Sequence, residues 1–168
     1  MQRLELVHDW LARQFPGRPL SVAPASADAS FRRYFRVTFD DGLTRIVMDA
    51  PPEHEDCRPF VHVAGLLHEA GVHAPEILAQ DLERGLLLLT DLGSITYLDA
   101  LDASNADGLF RDALDAILKW QLASRPDALP PYDEALLRRE LNLFPDWYVA
   151  RHLGSPLTAP QQEVLEQV

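Results

Sequence analysis

Residues Ala29 to Pro52, ASFRRYFRVTFDDGLTRIVMDAPP, constrain the fold of this chain more than any other stretch. From Arg33 onward the residues alternate as in a strand. Arg33, Phe35, Val37 and Phe39 share one face, and Tyr34, Arg36 and Thr38 share the other. The run Asp40-Asp41-Gly42 has the chemistry of a tight hairpin turn. A second strand follows over Arg45 to Ala50, with Ile46 and Met48 on one face and Val47 on the opposite one, and two prolines end it. The segment is therefore an antiparallel hairpin.

The flanking segments extend the pattern. Leu4, Val7, Leu11 and Phe15 recur at helical spacing until Pro16-Gly17. Leu20 to Pro24 is a short strand, and the small residues from Ala25 to Ser30 form a mobile loop. Pro59 suits a first helical position, and Phe60, Val63, Ala64 and Leu67 continue a helix to Gly71. Glu76 to Gln80 and Leu86 to Thr90 are strands around an Asp81 to Gly85 turn. Beyond Gly93 only helical periods occur, over Tyr97 to Leu101, Asp107 to Leu122 and about Glu134 to Leu143. Thr158, Pro160 and Gln161 carry the signals of one more helix start. The chain stops at Val168 with an apolar face still growing, which predicts an N-terminal portion of a larger domain. The expectation is an α+β fold, with an antiparallel sheet of about five strands and one packed helix over 1–92, and a helical part over 93–168.

Composition narrows the functional classes. A net charge of −11 and a pI near 4.8 argue against nucleic-acid or anionic-membrane partners, which need basic patches. No apolar run approaches the roughly 20 residues of a membrane span. Cys57 is the only cysteine, so no internal disulfide can form, in keeping with a reducing, cytoplasmic setting. The six histidines show no helical pair and no cysteine partner that would hold zinc.

A hairpin under a small-residue loop, a helix, a further hairpin and then helices is the plan of a kinase nucleotide-binding lobe. Phosphoryl transfer needs a cover and a cation on the phosphates, and an acidic loop for metal and acceptor. Ala25 to Ser30 can be the cover, and Arg32 or Arg33 the cation, unless the arginines merely solvate a strand end. Arg33 is preferred because it shares a face with Phe35 and Val37, which together with Ile46 and Met48 would form one apolar face over adenine. Met48 stands where such lobes place a lysine, and it reads as adenine-pocket lining or as core. Lys119, the only lysine, lies far off in a helix.

The acidic loop is absent from the sequence. His54-Glu55-Asp56 imitates H-x-D, but the residue five beyond the aspartate is Val61 and not asparagine. Ala100 and Leu137 stand five residues before Asn105 and Asn142, the only two asparagines. Asp91-Leu92-Gly93 resembles a metal-binding Asp-Phe-Gly, yet it sits at the strand-to-helix boundary, where a hinge belongs. Phe144, Trp147 and Tyr148 behind Glu140 could wall a sugar pocket or simply pack helices.

Taken together, ASFRRYFRV, VMDAPP, GVHAPEILAQD, GLLLLTDLG and LPPYDEALLRRELNLFPDWY resemble the aminoglycoside phosphotransferase-like kinases over nearly the whole chain. Within that family they are most similar to the amino-sugar kinases of bacterial cell-wall recycling, which use ATP and Mg²⁺ to phosphorylate the anomeric hydroxyl of N-acetylmuramate or N-acetylglucosamine. The resemblance implies Ser30, Arg32 and Arg33 near the phosphates. It implies Thr90, Asp91, Leu92 and Gly93 as the hinge, with Glu140 and Trp147 on the sugar side. It places the catalytic Asp, its Asn and the metal-binding acids beyond Val168, so that 1–168 alone would be inert and prone to self-association. The alternative is a kinase-derived binding module without catalysis.

Overall fold

The computed structural model of the chain describes residues 2–27 and 30–167. The hairpin forms as read, with β2 over Arg33–Phe39 and β3 over Thr44–Asp49. Its turn is closed by the Phe39 N–H on the Leu43 carbonyl at 2.9 Å and by the Leu43 N–H on the Asp41 carboxylate at 3.0 Å. Gly42 takes φ +82° there, a conformation that costs glycine nothing.

Three more strands complete an all-antiparallel sheet. They are β1 (Leu20–Ala27), β4 (Ile77–Asp81) and β5 (Leu86–Thr90), in the order β1-β2-β3-β5-β4. β1 runs three residues past Pro24, so the first half of the expected loop is strand. A register shift between Pro24 and Ser26 accommodates the proline, which has no N–H to give the ladder. Residues 28 and 29 of that loop lie outside the described residues.

Each face of the sheet carries one helix. α1 (Gln2–Gln14) packs Val7, Trp10 and Leu11 against Val37, Phe39, Val47, Leu86 and Leu88. α2 (Arg58–Glu69) supplies Phe60 and Val61 over Met48, Ala50, Leu87 and Leu89. β5 is buried on both faces, which is why it reads as an unbroken leucine run.

The register corrects one grouping made from the sequence. Phe35 pairs Val47 and Val37 pairs Arg45, whereas Tyr34 pairs Met48 and Arg36 pairs Ile46. Residues directly opposite share a face. Phe35 and Val37 therefore lie on the α1 side, and Ile46 and Met48 on the α2 side. The four cannot form one adenine-covering surface.

Asp49 is the one buried charged residue among the described residues, at 0% exposure. Arg3 of α1 donates from Nε to its Oδ1 at 3.0 Å and from Nη2 to the Arg84 carbonyl at 2.9 Å. Arg33 pairs with the second carboxylate oxygen. A carboxylate in the sheet interior is tolerated because two guanidiniums neutralise and hydrogen-bond it.

After β5 the chain is helical: α3 (Tyr97–Ala100), α4 (Ala106–Ala123), α5 (Glu134–Leu143), a π-helical segment (Phe144–His152) and α6 (Ala159–Gln167). Thr96 and Asp99 form a reciprocal capping box on α3, and Asp133 caps α5. The start of α6 is the one expected, with Thr158 Oγ1 donating to the Gln161 side chain at 2.9 Å. Pro145 cannot donate to the helix ladder, and the widened turn that follows bonds the Leu153 N–H to the Tyr148 carbonyl at 2.9 Å. The backbone gathers into two units, Met1–Ser124 and Arg125–Val168. On α4, Phe110, Leu114, Ile117 and Leu118 are all more than half exposed.

Gly85 is the least replaceable glycine of the sheet. Its φ is +69°, its carbonyl accepts from the Ala50 N–H at 2.8 Å, and an added Cβ would sit 1.8 Å from the Ala50 oxygen. Gly85→Ala is expected to cost about 2–4 kcal/mol of stability, since strain and a backbone clash act together. Urea unfolding measures it, and a loss below 1 kcal/mol, about the size of an ordinary surface change, would contradict the tight approach.

Candidate functional site

A cavity of about 540 Å³ opens on the α2 side of the sheet within the first unit. Its floor is a row set by the ladder, in which Arg36 pairs Ile46 and Ile46 pairs Leu89. Tyr34 lies on the same face of β2, and Phe60 and Pro75 add apolar wall. Ala25 enters the lining at the β1 bulge. The rim is the segment from Thr90 to Thr96. An apolar slot with polar main chain along one edge suits a flat heteroaromatic ring.

The rim is held by charge. Arg36 donates from Nε to Asp91 Oδ2 at 2.6 Å and from Nη2 to Asp91 Oδ1 at 3.1 Å. The same Nη2 reaches the Gly93 carbonyl at 3.0 Å, and the Gly93 N–H donates to Asp91 Oδ1 at 2.9 Å. The hydrogen bond from Arg36 holds the Asp91 carboxyl below the usual carboxylate range. Burial opposes that shift, and the Gly93 N–H and Thr44 hydroxyl assist it. The Asp91 bond likewise raises the Arg36 guanidinium above its ordinary value. Thr90 is fixed on the other side, its hydroxyl accepting from the Glu76 N–H at 2.9 Å.

The structure brings together part of the expected set. Thr90, Asp91, Leu92 and Gly93 line the cavity. Met48 lies on the same face but is fully buried beneath α2, outside the lining, because Cys57, Leu87 and Leu89 pack around it. Val37 belongs to the α1 core, and Arg33 turns to Asp49 on that same side. Both corrections follow from strand parity. Ser30 and Arg32 form a local turn, with Ser30 Oγ accepting from the Arg32 N–H at 3.2 Å and from its Nε at 3.1 Å. Glu140 and Trp147 fall in the second unit, where Arg151 lies 4.0 Å over the Trp147 ring and Arg139 pairs with Glu140. Arg36, Tyr34, Phe60 and Pro75 were missed as lining, although Tyr34 and Arg36 were already grouped on one face, and Ala25, expected in the phosphate cover, lines the cavity. The signal was the hairpin register counted back from Gly42.

Among the described residues no group of three or more His, Cys, Asp or Glu side chains is placed to hold a metal. The described residues therefore supply no Mg²⁺ ligand set of their own. No helix of the described residues is long and apolar enough to cross a membrane.

The phosphotransferase enzyme family model matches residues 21–168. The chain belongs to that family. Curated relatives agree: an N-acetylmuramate/N-acetylglucosamine kinase of Pseudomonas aeruginosa is 64% identical over 139 residues, covering 83% of this chain and 41% of that protein. The kinase of the same name from Pseudomonas putida is 57% identical over 88% of this chain and 43% of its own length. One from Neisseria meningitidis is 39% identical over 99% of this chain and 51% of its own. The chain thus spans about half the length of these relatives or somewhat less. Its five-stranded antiparallel sheet with flanking helices is the protein-kinase-like N-lobe of the phosphotransferase family.

The Asp91 bond makes a pH prediction. A carboxylate whose folded pKa is depressed stabilises the fold fully above its unfolded value, near 3.9, and loses that contribution as pH falls through the folded value. Asp91→Asn is therefore expected to be less stable than the native chain at pH 7. The gap should begin to narrow below about pH 3.9 and close only at lower pH, where the native carboxylate takes up its proton. Denaturant titrations from pH 7 to pH 2 check this, and a gap independent of pH would contradict it.

Proposed function

We propose that the full chain in which these residues occur is an ATP-dependent amino-sugar kinase, and that residues 1–168 supply its adenosine end. The observation that carries the reading is the apolar slot of Ile46 and Leu89 against the clamped Thr90–Gly93 turn, in a chain of the phosphotransferase family. The names of the relatives point to N-acetylmuramate or N-acetylglucosamine as acceptor. The transfer would break the bond between the β-bridging oxygen and the γ-phosphorus of ATP and form one from the anomeric oxygen to that phosphorus. ADP leaves, and the hydroxyl proton passes to a base outside 1–168. In this reading Ser30 and Arg32 are the phosphate-side groups, and Glu140 and Trp147 the sugar-side groups. Arg33 acts there only through its pair with Asp49. A cytoplasmic location belongs to the same reading, because that is where ATP is supplied.

A second reading, a kinase-derived binding module, is favoured by one observation: no Asp and Asn stand in catalytic-loop spacing anywhere in the 168 residues. A coupled assay of the full chain with ATP and either sugar separates the two. Sugar-dependent ADP release supports the kinase, and ATP binding without transfer supports the module. Robust turnover by residues 1–168 alone would overturn the assignment of the catalytic groups to later residues. Self-association of the isolated 168 residues through their exposed apolar helices is part of this proposal, and light scattering checks it.

The slot itself has a direct test. Ala25→Trp places an indole where the ring of the base would lie, and ATP affinity by calorimetry is expected to fall at least tenfold, about 1.4 kcal/mol. Unchanged affinity would move the nucleotide elsewhere.

A further inference from the structure

We propose that Arg36 is a positioning residue for the nucleotide, holding the Thr90–Gly93 turn at the angle from which its main chain meets the base. The inference rests on the nucleotide reading above. In the sheet, β3 lies between β2 and β5, so no ladder bond can connect β2 to the turn that follows β5. Arg36 makes that connection with its side chain. It lies in the floor row beside Ile46 and Leu89, and its guanidinium reaches past them to Asp91.

The contacts form a closed ring. Arg36 bonds both oxygens of Asp91 and the carbonyl of Gly93, and the Gly93 N–H returns to Asp91. The Asp91 side chain is only 5% exposed, and Gly93 sits at φ +95°. A planar fork with several fixed donors can satisfy a carboxylate and a carbonyl together, which a single ammonium cannot do at both angles. The ring occupies the Asp91 carboxylate and both polar groups of Gly93. The base-edge contacts are thereby assigned to the main chain of Asp91 and Leu92, and Arg36 sets their direction without touching the phosphates.

Steady-state kinetics on the full chain test this, with ATP and sugar varied separately. Arg36→Ala is expected to raise the KM for ATP about tenfold, as a lost charge-assisted contact would, while kcat and the sugar KM stay within about twofold. Arg36→Lys should recover part of the loss and not all of it. Asp91→Ala should match Arg36→Ala, and the double variant should be no worse than the worse single one, since both remove the same ring. If Arg36→Ala does not fold, the intermediate ATP KM of Arg36→Lys carries the test. A merely structural arginine would lower the folded fraction, hence apparent kcat, and leave the ATP KM alone; that result would overturn the inference, as would additive single effects. Native protein that fails to bind ATP by calorimetry would sink the nucleotide reading and the inference with it. An unchanged Arg36→Ala KM in an ATP-binding enzyme would sink the inference only.

Discussion

The central strand β3 has no solvent face to spare, and the rest of the sheet is arranged around that constraint. Val47 and Asp49 go to α1, while Ile46 and Met48 go to the side of α2 and the cavity. A slip of one residue would bury Arg36 in the α1 core and expose that core's valines, so the register set at the Asp40–Gly42 turn is strongly enforced. Asp49 adds a second lock. Its fully buried carboxylate is neutralised and hydrogen-bonded by Arg3 and Arg33, whose guanidiniums reach it from partly exposed positions. That geometry ties the first turn of α1, the start of β2 and the end of β3 to one point.

The two sides of the sheet consequently do different things. The α1 side is closed core, with Val7, Leu11, Val37, Val47 and Leu86 at 0% exposure. The α2 side is core only as far as Met48 and Leu87; beyond Ile46 and Leu89 it opens into the cavity. Met48 explains why no lysine is needed at its position. An ammonium there would be surrounded by Leu87, Ala50 and Cys57 and would pay the full cost of an unpaired buried charge. The cation of this face stands at the rim instead, where Arg36 has a carboxylate partner and some solvent.

Much of this was legible in the residues. Period-two alternation and the Asp-Gly turn gave β2 and β3 almost to the residue. The leucine run gave β5, and the Thr158, Pro160 and Gln161 signals gave α6. What escaped has definite causes. The extent of β1 was hidden because Ala25, Ser26 and Ala27 carry loop chemistry, and Ser26 and Ala27 are strand only through pairing with Tyr34 and Arg33 of β2. The mixed face of Phe35, Val37, Ile46 and Met48 arose because alternation within a strand is local, whereas the relation between two strands depends on the length of the turn. The Arg36–Asp91 bond joins residues 55 apart, and no local pattern reports a contact of that separation. The π-helical segment needed the competition between Pro145 and the helix ladder to be resolved in three dimensions.

The helices after β5 obtain their stability differently from the sheet. Among the described residues beyond Thr90, only Pro145 is buried, so little apolar area is removed from water there. Their ends are instead defined by polar contacts: the Thr96–Asp99 box, the Asp133 cap, the Thr158–Gln161 pair, and Arg138 with Glu134 and Glu166. A cap contributes about 1 kcal/mol, and an exposed ion pair less, which fixes where a helix starts without fixing what it packs on. The relatives are more than twice as long, and in this chain α4 carries Phe110, Leu114 and Ile117 outward. The cavity, by contrast, takes its floor from strands whose side chains are already packed at 0–3% exposure on β5, and its rim from a turn closed by charge. The adenosine end of the proposed site therefore stands on the part of the chain that carries its own core.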